Sequence, residues 1–199
     1  METAPSLELF WLPLGAGGPS AVRVGGWAYE RWAARRAGRD PARLFHAALR
    51  VSLDATPYVI EVAPEWSQPG RDRGVVAGGA VGSRLLGVSR WFRYEVRAWR
   101  DGVLPDEPYA VGGGTPVATD ASRAARLLAA VREVPTPVWG RDELGLGEMW
   151  NSNSVVAWLL LVSGHAPAGP PDGGRAPGWD AGAALLERQC RRVRAAHGG

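Results

Sequence analysis

The 199-residue chain contains no lysine, one cysteine and three histidines. Without lysine there is no Walker A phosphate loop, no Schiff-base enzyme and no kinase-type phosphate anchor. The lone Cys190 excludes an intramolecular disulfide and a cysteine-rich zinc site. His46, His165 and His197 are widely scattered, and no His-Glu-x-x-His occurs, so no metal motif is present. There is no Gly-x-Ser-x-Gly nucleophile elbow, no Ser-x-x-Lys pair and no Gly-x-Gly-x-x-Gly after a strand. No cofactor is expected. The longest apolar run, Val155 to Val162, is far short of the ~20 residues a membrane span requires. The N-terminus carries Glu2 and Glu8 ahead of the first basic residue, Arg23, the reverse of a signal peptide. A soluble, cytoplasmic protein is the expectation.

Charge placement narrows the partners. The net charge is +3, but Arg188, Arg191, Arg192 and Arg194 stand in a tail with no acid, so the rest of the chain is close to neutral. Two further arginine-rich stretches, Arg31 to Arg50 and Arg84 to Arg100, include acids. A nucleic-acid surface needs a basic stripe on the folded body, so nucleic acid is not the expected partner. One domain over residues 1–187 and a basic tail over 188–199 are expected.

Periodicity outlines the elements. Residues 7–14 suit a first strand, followed by a loop from Gly15 to Ser20. Trp27 to Ala37 suits a helix stopped by Gly38. In Leu44 to Leu53, Leu49, Val51 and Leu53 share one strand face, while His46, Ala48, Arg50 and Ser52 share the other. Asp54 to Pro57 supplies a turn, and Tyr58 to Ala63 returns as the second strand of a hairpin. Pairing Leu53 with Tyr58 sets Arg50 opposite Glu61 and His46 opposite Glu65. Gly-rich residues 74–87 suit a loop or irregular strand, and Trp91 to Trp99 another strand. Helices are expected from Thr119-Asp120 to Glu133, from Asn151 to Ser163, and from Ala181 to Arg194. The fold class is α+β: a small antiparallel sheet packed against helices, with the 151–163 helix central.

Two features carry possible chemistry: a histidine on a strand and the polar run Asn151-Ser152-Asn153-Ser154 opening an apolar helix. A helix start concentrates free N–H donors and positive potential, which favours a nucleophile and an adjacent oxyanion. An imidazole on a neighbouring strand is a suitable general base. The order and spacing resemble the circularly permuted papain-like superfamily, which includes NlpC-type peptidases, PPPDE peptidases and lecithin retinol acyltransferase relatives. Leu44-Phe45-His46-Ala47-Ala48-Leu49 looks like the histidine strand of that family. Asn151-Ser152-Asn153-Ser154, about 105 residues later, looks like its nucleophile motif with serine in place of cysteine.

The resemblance implies a hydrolase or acyltransferase acting on an amide, ester or thioester. Ser152 would attack, His46 would take its proton, and Glu61 or Glu65 on the next strand would orient the imidazole. The Ser152 N–H and the Asn151 side chain would meet the oxyanion, with Asn153 beside the substrate. Separately, Trp139 and Trp150 flank the acidic stretch Asp142, Glu143 and Glu148 next to the motif, and as aromatic walls they suit the lining of a binding groove. A serine hydroxyl is far less acidic than a thiol, however, and needs a base during attack. The substitution therefore leaves two readings: a serine hydrolase, or a catalytically inactive relative that binds a peptide or acyl ligand in a retained groove. Helix capping explains Asn and Ser at 151–154 without any function, since these are the preferred N-cap residues.

Overall fold

The structure, a computed structural model, describes residues 4–16, 20–67, 74–166 and 168–197. Of the loop expected at Gly15 to Ser20, residues 17–19 lie outside the described residues. Strand β1 (Ser6–Pro13) is followed by helix α1 (Ser20–Arg36) and the hairpin β2 (Arg43–Leu53) and β3 (Thr56–Pro64). The irregular strand β4 (Val75–Ala80) and strand β5 (Arg93–Arg100) follow, then the short β6 (Gly114–Pro116). Helices α2 (Ala121–Ala130) and α3 (Ser152–Val162), the two-residue β7 (Gly174–Arg175) and helix α4 (Trp179–His197) complete the chain.

The strands form one seven-stranded sheet in the order β4-β5-β3-β2-β1-β6, with β7 added to β2 in parallel. The fold is thus mixed α and β with an open, largely antiparallel sheet, larger than the small sheet expected. Alternation assigns two faces. Leu7, Leu9 and Trp11 of β1, Phe45, Ala47, Leu49 and Val51 of β2, and Ile60 and Val62 of β3 bury against the helices. Beyond its polar first turn, α3 is apolar around its whole circumference, and every residue from Ser152 to Leu160 is buried. A helix of that kind can lie only inside a core; it packs on this face between α2, α4 and β2.

The second face holds a smaller cluster of Phe10, Leu12, Ala48, Val59 and Leu104. It also carries ion pairs: Arg50 with Glu8 and Glu107, and the fully buried Arg97 with Glu61 and Glu95. α1 approaches it at the Leu44 end, where Gly26 leaves room for the side chains of Leu14 and Leu44.

The hairpin register differs from the sequence expectation. Asp54 and Ala55 both adopt left-handed φ, 50° and 59°, and close a two-residue turn. Leu53 therefore pairs with Thr56, and Arg50 lies opposite Val59, not Glu61. Glu61 instead pairs across the other edge of β3 with Arg97 of β5.

Candidate functional site

The polar run at the start of α3 is the most heavily bonded place in the core. β2 and β3 stay paired only as far as Leu49 and Ile60; beyond that, β3 follows β5 and β2 follows β1. The divergence strips β2 of a partner along one edge. Asn153 fills the gap: its carbonyl accepts from Ala47 N–H at 2.9 Å, and its amide donates to Phe45 C=O at 3.0 Å and Pro177 C=O at 2.9 Å. One side-chain amide thus does the work of a missing strand.

Asn151 is the N-cap, accepting from the N–H groups of Asn153 and Ser154 and donating to Pro177 C=O. Ser154 completes a capping box by accepting from Asn151 N–H, and its hydroxyl reaches Gly178 C=O at 2.7 Å. Ser152 differs. It is 3% exposed, yet neither its N–H nor its hydroxyl bonds any other described residue.

The structure does not bring His46 to Ser152. α3 packs on the face formed by Phe45, Ala47, Leu49 and Val51, and strand alternation turns His46 to the opposite face. No hydrogen bond joins the His46 ring to the Ser152 hydroxyl among the described residues. His46 is half-buried and its ring has no hydrogen-bond partner among the described residues; desolvation lowers its pKa to about 4. Glu61 does share its face, but its carboxylate is held at 2.7 Å by Arg97, which also binds Glu95, Ser67 and Pro64 C=O. Glu65, the other candidate acid, pairs with Arg93 at 2.9 Å. Neither acid orients the imidazole.

The two tryptophans separate as well. Trp150 is 1% exposed and belongs to the core, so it walls no groove. Trp139 is half-buried against Tyr94, with ring centroids 5.3 Å apart. Its backbone forms a parallel bridge with Val81 just beyond β4, through Trp139 N–H to Ala80 C=O and Gly82 N–H to Trp139 C=O.

That bridge closes one end of a cleft that sequence reasoning missed. A cavity of about 790 Å³ lies between β4, the turn carrying Arg84 and Val88, and the segment Pro135 to Val138. Its volume falls in the range of small-ligand sites. Alternation from the Val81 N–H bond to Phe92 C=O, together with the Ala80–Trp139 bond, turns the polar groups of Gly78 and Ala80 outward. Pro135 and Pro137 face them without N–H groups and cannot zip the gap shut. Tyr94 hydroxyl donates to Pro137 C=O at 2.8 Å and fixes that wall. Glycine is required beside it: a Cβ at Gly79 would sit 2.7 Å from the Tyr94 ring. The available sequence signal was the pair of prolines 135 and 137 near a glycine-rich strand.

No cluster of three or more metal-binding side chains occurs among the described residues, and none of their helices is long and apolar enough to cross a membrane. The chain matches no protein-family model, no curated protein and no solved structure.

Proposed function

We propose that this chain is a ligand-binding protein without a Ser152–His46 hydrolase centre, the inactive alternative within the papain-like resemblance, and that it takes a peptide or acyl ligand in the cleft beside β4. The observation that carries this reading is that His46 lies on the face of β2 turned away from α3, the helix that Ser152 opens. A general base must come within hydrogen-bond reach of the proton it removes, directly or through one water. His46 projects from the face of β2 turned away from α3, so closure of a surface loop alone does not carry its ring to Ser152. The cleft supplies the positive side of the argument, with a volume of about 790 Å³ and strand polar groups facing into it.

One observation favours the hydrolase reading: Ser152 alone in the polar run keeps its N–H and hydroxyl free of the described residues. A fluorophosphonate probe separates the two readings. Wild type and Ser152→Ala are expected to label equally weakly. Labelling of wild type that Ser152→Ala abolishes would overturn the proposal.

A further inference from the structure

We propose that the open edge of β4 binds a short, extended, uncharged peptide segment by strand addition; this rests on the binding reading above and names its ligand class. By the alternation of the β4–β5 ladder, with Val81 bonded to Phe92, three backbone groups turn to the open edge of β4: Gly78 N–H, Gly78 C=O and Ala80 N–H. The fourth, Ala80 C=O, already accepts from Trp139 N–H, so Trp139 occupies the first position of an added strand and the rest stands vacant. Donor, acceptor and donor at strand spacing match the edge of an extended peptide.

The walls decide which peptide fits. Gly78, Gly79 and Gly87 bring no side chains into the cleft, which leaves space for those of the ligand. Val88, 92% exposed, lines the cleft and offers apolar contact. The charged residues at the cleft are already matched, Arg84 with Glu143 at 2.8 Å and Arg93 with Glu65 at 2.9 Å. No unpaired cation is left among the described residues lining the cleft to capture a terminal carboxylate, so an internal segment with apolar side chains is the fitting occupant. Residues 135–138 close the far side, and a recess of this kind admits one strand but not edge-to-edge pairing of two copies of the sheet.

The test selects phage-displayed heptapeptides on the full chain and remakes the winners as acetylated, amidated peptides. Their binding is expected to slow amide exchange at Gly78 and Ala80. N-methylation of alternate peptide residues should weaken binding about tenfold in one register and little in the other, because only alternate residues face β4. Ala80→Pro, which removes one donor, should also weaken binding about tenfold; the N-methylated peptides give the same answer without altering the protein. Binding that leaves both amides unprotected and both N-methyl registers equal overturns strand addition while the broader binding reading stands. If no peptide is enriched, strand addition falls; if dodecanoate also leaves the cleft resonances unmoved, the broader reading falls with it.

Discussion

The start of α3 and the edge of β4 present the same physical problem and solve it in opposite ways. In both places strand backbone runs out of partners. At β2 the vacancy is filled from within, by the Asn153 amide on Ala47 and Phe45. At β4 the nearest segment carries Pro135 and Pro137, and the vacancy stays open towards a cleft. The first arrangement buries its polar groups and must satisfy them; the second leaves them where water, or a ligand, completes them. The dense polar run in the sequence marks the saturated place, and the sparse glycine and proline pattern marks the open one.

Amide exchange breaks or sharpens this contrast most strongly. Without ligand, Ala47 is expected to exchange at least about a thousandfold more slowly than Gly78 and Ala80, because only its N–H is held inside the core. Comparable rates would erase the distinction. Within the polar run, substitutions should fall in a fixed order when unfolding by denaturant is followed. Asn153→Ala strands the buried Ala47 N–H and Phe45 C=O and should cost about 3 kcal/mol. Ser154→Ala removes the capping-box acceptor and the bond to Gly178 and should cost about 1 to 2 kcal/mol. Ser152→Ala breaks no bond to a described residue and should cost under ~0.5 kcal/mol. A large loss at Ser152 would place it inside the saturated network after all.

Much of the fold was legible because periodicity reports burial. The alternation of β2, the cap at Asp120 that accepts from Arg123 N–H, and the apolar run of α3 follow directly from side-chain chemistry. The alternation even set His46 opposite Leu49 and Val51. An apolar helix must take the apolar face of a strand, and α3 takes the Leu49 and Val51 face and leaves His46 on the other. The hairpin register turned on left-handed conformations at Asp54 and Ala55, and alanine gives no signal for one. The partner of Glu61 was out of reach for another reason. β5 pairs with β3 from more than thirty residues away, and nothing local announces a buried Arg97.

The central claim, that the His46 ring faces away from Ser152, is tested most directly by NMR titration of that ring in wild type and in Ser152→Asp. Burial lowers His46 to about 4, below its unfolded value near 6.5. The neutral ring therefore contributes stability that is fully present above about pH 6.5 and is lost as the pH falls towards 4. A carboxylate placed within a few ångströms of an imidazole raises its pKa by a unit or more. The account predicts that His46 titrates near 4 in both proteins. A rise of a unit or more in Ser152→Asp would put the two side chains in one site and contradict it.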